Sequence, residues 1–435
     1  MAKTTDRPRV RFLTFGCRVN QYETQAMWRH LSSDFDLSSG EADLYLVSAC
    51  TVTALAEKKA RQAIRRLRRE HPEAKVVLLG CLADAALQGL TEMDDVDFLA
   101  GNAWKGRISE LARRALAGER GRVAGIAPSP LEEERAERDS RKVRAFLKVQ
   151  DGCDLLCTFC RTRQVRGPSR SKAIPAAVEE ARALVAAGCP EVVLSGINLA
   201  QYRREEGDLA DLVRAILTIG GLRRLRLGSI NAYGVTEEVL EAFACDDRAC
   251  PHFHIPLQSG DDAVLRRMGR GYTATDYLAT AERVRRAIPE ATLGADVIVG
   301  FPGEDEAAFA RTCGLVEEVE FANLHVFRYS PRKGTAAAIL PYPVPEWTKR
   351  ERAERLEELA IRVRGEVFEG LLGGKEKVLV EERVDGMWRG YTRGYLNVQF
   401  RADGPVTIGQ EVAVRIGGAV GDHLEGVSDD RAGVR

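Results

Sequence analysis

An α/β protein with parallel sheets is the fold class the sequence predicts, and three observations carry it. Short apolar runs alternate with helix-period segments twice, over residues 9–116 and again over residues 144–329, and such alternation builds parallel sheets rather than hairpins. Cysteines and small polar residues collect just after these runs, where ligands of parallel sheets sit. Past residue 377 short strands with Gly-rich turns take over, a pattern that suits a small β-barrel.

In the first unit, strands are read at residues 10–15, 44–47, 75–79 and near 96–98. Helices are read at 20–31, 54–70, after residue 81, and at 105–116. The first three strands lead into Cys17, Cys50 and Cys81. One such cysteine is usually a buried apolar residue, but three at equivalent positions of successive repeats predict a three-cysteine iron-sulfur site on one sheet edge.

Residues 118–142 turn to Gly, Pro and a charge run at 132–139, read as a linker or a short solvated helix. Six further strands follow at 144–150, 191–197, 223–230, 252–257, 291–299 and 322–329, with helices at 176–187, 209–217, 237–243, 263–268, 274–288 and 306–319. Six β-α units fit a partial, open β/α barrel better than a flat sheet. The first strand runs into Cys153, Cys157 and Cys160, a Cys-x3-Cys-x2-Cys triplet. Three thiolates are one short of closing a four-iron cluster, so one iron stays open to an outside ligand; zinc sites usually pair Cys-x2-Cys with a distant second pair. Ser195, Gly196, Asn198, Asn231, Gln258 and Gly300 end the later strands, where small residues admit a ligand to the backbone and polar ones hydrogen-bond it. Cys189, Cys245, Cys250 and Cys313 read as structural. His252 and His254 share a strand face, but no further ligands are apparent for a zinc site.

The triplet, with Phe159 before its last cysteine, resembles the radical S-adenosylmethionine (radical SAM) superfamily. Residues 252–260 (His-Phe-His-Ile-Pro-Leu-Gln-Ser-Gly), 296–304 (Asp-Val-Ile-Val-Gly-Phe-Pro-Gly-Glu) and 324–331 (Leu-His-Val-Phe-Arg-Tyr-Ser-Pro) look like the radical SAM methylthiotransferases. The similarity spans nearly the whole chain. Residues 15–24 (Phe-Gly-Cys-Arg-Val-Asn-Gln-Tyr-Glu-Thr) look most like the branch acting on N6-threonylcarbamoyladenosine in tRNA. Sibling branches act on isopentenyladenosine in tRNA or on an aspartate of a small-subunit ribosomal protein.

The resemblance implies two 4Fe-4S clusters and SAM. Cys153, Cys157 and Cys160 would hold the SAM-cleaving cluster, with Phe159, Ser195, Gly196, Asn198, Asn231, Gln258 and Gly300 around SAM. Cys17, Cys50 and Cys81 would hold an auxiliary cluster carrying the sulfur. A 5'-deoxyadenosyl radical would take hydrogen from C2 of adenine at tRNA position 37, next to the anticodon, and a second SAM would supply the methyl group. A one-electron reductant such as flavodoxin or ferredoxin and a sulfur donor are implied partners. The sequence departs from the family at residues 161–165, Arg-Thr-Arg-Gln-Val in place of apolar residues with a proline, and at Asn231, where glutamate is common. A non-catalytic iron-sulfur scaffold is the reading from another class; it needs no SAM pocket and would release no 5'-deoxyadenosine.

Three domains are expected: residues 7–120 with the auxiliary cluster, 139–369 as a partial (β/α)6 radical SAM barrel, and 371–434 as a barrel resembling the RNA-binding TRAM domain. In that barrel Arg389 and Arg393, with Trp388, Tyr391 and Tyr395, are RNA-contact candidates by phosphate pairing and stacking. The helix at 54–70 offers a second basic patch, with Lys58, Lys59, Arg61, Arg65, Arg66, Arg68 and Arg69. The 64 basic and 64 acidic residues cancel, so nucleic-acid contact must come from such patches. At 435 residues and 45% hydrophobic content the chain has material for two or three cores. Residues 1–8 are polar, no run of about 18 apolar residues occurs, and ten cysteines accompany no export signal. A cytoplasmic protein without a membrane partner is expected.

Overall fold

A computed structural model describes residues 7–51, 54–124, 128–139 and 142–429. Its first unit runs β1 (Arg9–Phe15), α1 (Arg18–Leu31), β2 (Asp36–Leu37), β3 (Leu44–Ala49), α2 (Ala54–Glu70), β4 (Lys75–Leu79), α3 (Cys81–Leu87), β5 (Phe98–Ala100), α4 (Ile108–Leu116) and β6 (Gly121–Val123). The strands form one parallel sheet in the order β2-β1-β3-β4-β5-β6. Alternation assigns its two faces: Leu44 and Leu46 join one core with Phe98 and Ile108, while Tyr45 and Val47 join another with Ile64 and Leu82. The fourth expected strand lies two residues later, at 98–100, and a 3-10 turn at Asn102–Arg107 precedes α4. The short edge strands β2 and β6 are too brief to show a period in the sequence.

The central unit comprises β7 (Arg144–Lys148), β8 (Gln150–Asp151), α5 (Thr162–Arg166), β9 (Arg170–Ser171), α6 (Ile174–Ala186), β10 (Glu191–Ser195), β11 (Arg203–Arg204), β12 (Gly207–Asp208), α7 (Leu209–Leu217), β13 (Arg224–Leu227), α8 (Glu237–Ala244), β14 (His252–His254), α9 (Asp262–Met268), α10 (Ala274–Ala287), β15 (Thr292–Val299), α11 (Glu306–Val319) and β16 (Asn323–Arg328). Strands β13-β10-β7 and β14-β15-β16 form two parallel sheets, joined by the bridges Leu225–Ala249 and Ser229–His254. The result is a six-stranded curved wall, the open barrel expected. Side-chain oxygens of Asp208, Thr236, Asp261, Thr273 and Asp305 accept amides of the first turns of α7 to α11, which is why each helix starts there. Along the strands, Leu147, Leu194, Leu225, Phe253, Ala295 and Val297 pack into the helix-side core. Their alternate neighbours, among them Phe146, Arg226, His254 and Asp296, face the lumen.

The last unit is α12 (Glu346–Glu369) followed by β17 (Lys375–Val384), β18 (Met387–Thr392), β19 (Asn397–Arg401), β20 (Glu411–Val420) and β21 (His423–Ser428), closed in the order β17-β18-β19-β21-β20. Strand β21 completes the barrel. The barrel seats against the amino ends of the inner strands. Arg224, fully buried, donates to the carbonyls of Tyr391 at 3.0 Å and Lys377 at 2.7 Å, and Arg226 donates to that of Arg393 at 2.8 Å.

The charge run at 132–139 is neither a free linker nor a helix. Glu134 binds Lys148 at 2.8 Å, Arg135 forks onto Glu179 at 2.7 and 2.8 Å, and Leu131 and Ala136 are buried. The run is a strap, because the barrel offers Glu134 and Arg135 opposite charges and covers Leu131 and Ala136.

Candidate functional site

Cys17, Cys50 and Cys81 follow β1, β3 and β4, three neighbouring strands of one sheet. Gly16, with φ of +136°, makes the close approach possible: a Cβ there would lie 2.5 Å from Cys50 Cβ. Cys81 Sγ accepts from Arg166 Nε at 3.1 Å, and Asn102 Nδ2 lies 3.8 Å away. Burial pushes the Cys81 thiol up, opposed by the Arg166 charge.

Cys153, Cys157 and Cys160 lie beyond the carboxyl end of β7. Gly152, at φ +72°, passes so close to the Pro168 carbonyl that a Cβ would sit 1.9 Å from its oxygen, and Cys153 N–H donates to Gly167 O at 3.1 Å. Each sulfur has a donor: Asn198 Nδ2 to Cys153 at 3.5 Å, Arg270 Nη1 to Cys157 at 3.4 Å, and the Thr162 amide to Cys160 at 3.3 Å. Donors aimed at sulfur stabilise thiolates and lower the charge cost of an anionic cluster. Three thiolates on each side are the donor set of a four-iron cluster that keeps one iron open.

Helix α5 joins the two triads, and at 1.5 Å per residue it is about 7.5 Å long. Thr162 at its start touches Cys160, and Arg166 at its end touches Cys81, Glu23 at 2.8 Å and Asp151 at 2.9 Å. Arg161, before the helix, reaches Thr51 beside Cys50 at 3.3 Å and Lys333 O at 2.6 Å. The unusual residues 161–165 therefore stitch the central barrel to the first unit. Arg166 and Arg270 escaped the sequence analysis as site residues, since arginines in an Arg-rich text look like surface charge.

Among the residues expected around SAM, Asn198 and Asn231 meet, Nδ2 of Asn231 donating to Oδ1 of Asn198 at 2.8 Å, and Arg270 donates to Asn231. The backbone amide of Asn198 donates to Gln150 Oε1 at 2.7 Å beside Gly196, which a Cβ would crowd against Gln150 at 3.0 Å. Gln258 adopts φ +70°, a strained value for a non-glycine, and its N–H binds Asp296 O at 2.8 Å. Phe159 stands edge-on to Phe301, 6.4 Å between centroids. Two expectations need correction. Ser195 is 3% exposed and turns its hydroxyl back to Val193 O, and the space over Gly300 is taken by Lys349, whose Cγ would be 2.3 Å from a Cβ there.

The RNA candidates divide likewise. Lys58 and Lys59 are exposed on α2, and Arg65 is exposed with Asp95 3.8 Å away. Arg61, Arg66 and Arg68 are neutralised by Glu57, Glu70 and Asp97, so the patch is weaker than its composition. Arg389 is half-buried against Glu382 and Asn397. Arg393 is not a surface residue for RNA: its guanidinium donates to Ala249 O at 2.9 Å, and Tyr391 and Tyr395 stack on each other under the central barrel within reach of Arg144.

Residues 147–316 match the radical SAM superfamily and residues 9–101 match the uncharacterized protein family UPF0004. The chain is 38% identical to the threonylcarbamoyladenosine tRNA methylthiotransferase MtaB of Thermotoga maritima, over 90% of this chain and 91% of that protein. It is 35% identical to the Bacillus subtilis protein of the same name, over 94% and 93%. The tRNA-2-methylthio-N(6)-dimethylallyladenosine synthase of Pelotomaculum thermopropionicum is 32% identical over 96% and 97%. The chain belongs to the radical SAM methylthiotransferase family. Among solved structures the fold resembles the radical SAM methyltransferase TsrM of Kitasatospora setae, with TM-score 0.56 and 15% identity over 76% of this chain and 75% of that one. The methylthiotransferase is an enzyme of transferase type that uses SAM and 4Fe-4S clusters. Among its described residues no helix is long and apolar enough to cross a membrane.

Proposed function

We propose that the enzyme adds a methylthio group to C2 of N6-threonylcarbamoyladenosine at tRNA position 37. The observation that carries this reading is the pair of cysteine triads facing each other across α5, in a chain 38% identical to a protein named for that reaction. Cys153, Cys157 and Cys160 are the residues to hold the SAM-cleaving cluster, and Cys17, Cys50 and Cys81 the auxiliary one. When bound, the clusters and SAM supply the radical and the sulfur. The protein supplies position and shielding. Asn198, Asn231 and Arg270 hold the edge of the SAM-cleaving site in register. Arg166 keeps a fixed cation between the two triads. Exposed Lys58, Lys59 and Arg65 on α2, with Arg389 on the last barrel, suit the phosphates of an anticodon stem. The expected boundaries 7–120, 139–369 and 371–434 serve for the three units, with β6 extending the first to Val123 and residues 430–434 lying outside the described residues; a flavodoxin or ferredoxin is the reductant class that a low-potential cluster requires, a separate donor restores the sulfur, and the site of action is the cytoplasm.

Dimethylallyladenosine is the second substrate reading, favoured by relatives of that name at 32% and 34% identity. Nucleoside mass spectrometry of tRNA from a host lacking its own enzyme separates the two. We expect 2-methylthio-N6-threonylcarbamoyladenosine with the intact chain and none with Cys17→Ala. Methylthio-isopentenyladenosine instead would move the enzyme to the sibling branch.

A further inference from the structure

The lumen wall built by β14, β15 and β16 carries a polar group that neither cysteine triad uses. His254, Asp296 and His325 sit on three adjacent strands with one side-chain polar atom each, all within 4.8 Å of one another. His254 Nε2 lies 3.2 Å from Asp296 Oδ2, and the His254 and His325 rings are 5.6 Å apart. Strand register explains the grouping. Asp296 pairs with His325, and His254 pairs with Gly294, the preceding position on the same face of β15. Asp296 remains partly open to the lumen and His325 is exposed, although a folded core surrounds them.

Arg18 approaches from the first unit. It directly follows Cys17, donates from Nη2 to Tyr395 Oη at 3.2 Å, and lies 6.0 Å from the centroid of Phe146 on the lumen face of β7. Among the described residues no carboxylate pairs with it, so most of its donors are unspent. Desolvation by the surrounding wall holds the His325 imidazole below its usual range, opposed by the Asp296 charge and aided by His254 and Arg18. The assembly thus offers two imidazoles, a carboxylate oxygen and, on the residue that follows an auxiliary-site cysteine, a guanidinium stacked on Tyr395 with donors to spare.

We propose that Arg18, Asp296 and His325 form the subsite for the threonylcarbamoyl arm of the substrate nucleoside. This rests on the threonylcarbamoyladenosine reading and names the residues that read it. The arm carries a carboxylate, a hydroxyl and urea N–H groups. Arg18 pairs the carboxylate in charge-assisted hydrogen bonds, Asp296 accepts from the hydroxyl or a urea N–H, and His325 donates from the opposite strand. His254 is a positioning residue that holds Asp296. An isopentenyl arm offers none of these groups and would leave Arg18 and Asp296 desolvated without partners, the arrangement that gives the strongest rejection of an analogue. A divalent cation is the other ligand such a group attracts, and the neighbouring Arg18 charge opposes it.

The test compares kcat/KM of the anaerobically reconstituted full-length enzyme on one tRNA carrying either threonylcarbamoyladenosine or isopentenyladenosine. The proteins are wild type, Arg18→Gln, Arg18→Lys and His325→Asn, each first checked for the iron content and cluster EPR signals of wild type. Arg18→Gln and His325→Asn should lower kcat/KM on the threonylcarbamoyl substrate about 10- to 100-fold and shrink the preference over the isopentenyl substrate, with Arg18→Lys restoring part of it. An unchanged preference in both variants with clusters intact overturns the proposal, as does a stoichiometric third metal that His325→Asn removes. If wild type itself methylthiolates only the isopentenyl substrate, the functional reading has failed, and the subsite falls with it.

Discussion

Glu23 shows what a single residue does for this site. Its carboxylate, 2% exposed, receives Lys148 and Arg166 at 2.8 Å each and also Lys105, so one side chain of α1 meets cations from the first unit, β7 and α5. Burial alone would raise the carboxyl, but Arg166, Lys105 and Lys148 hold it well below the usual range. Removing one member of a buried charge network leaves the others uncompensated and costs about 3–5 kcal/mol. Glu23→Gln is therefore expected to lower the unfolding free energy by about that amount in chemical denaturation, and to weaken iron retention by freeing Arg166 from its place beside Cys81. A loss under about 1 kcal/mol would mean that Asp151 and Glu134 suffice for Lys148 and Arg166 and that Lys105 needs only Asn102.

At the scale of elements, the strap at 131–139 is the clearest departure from expectation and carries its own prediction. Arg135 and Arg138 are both hydrogen-bonded, to Glu179 and to Ala187 O, and Tyr22 Oη donates to Glu134 O at 2.5 Å. Trypsin and a Glu-specific protease under native conditions should leave residues 131–139 intact, where a solvated linker would be cut first. Peptide mapping reads the result. The β-α repeats and both cysteine triads were legible in the sequence, because period and spacing are local signals. The strap was not, since a charge run looks the same in water as against a barrel whose partners lie far along the chain, as Glu179 does, 44 residues from Arg135. The His254–Asp296–His325 group was illegible for the same reason: His252 and His254 showed a shared face, but their companions come from the next two strands of the sheet. Arg393, Tyr391 and Tyr395 were misplaced on the surface because a barrel read alone has no underside.

Across the whole molecule, the C-terminal barrel closes the lumen from below. Arg224 and Arg226 are fully buried because Glu191 from β10 and Glu411 from β20 pair with them and the carbonyls of Lys377, Tyr391, Thr392 and Arg393 accept further donors. Burial would raise the Glu191 carboxyl, yet Arg226, Arg144 and Arg224 hold it below its usual value. Its contribution is thus fully present above about pH 4.5 and is lost as pH falls through the depressed folded value, so acid should loosen this seam. Truncation after Glu369 tests the seam directly. A detachable RNA-binding module would leave the remainder as stable as before and weaken only tRNA affinity. With the barrel as a plug, the truncated protein exposes two unsatisfied guanidiniums beside Glu191 and leaves Arg18 without its Tyr395 partner. Calorimetry should show a melting temperature several degrees lower at pH 7. Equal melting temperatures for the two proteins would return the barrel to the role of an appendage.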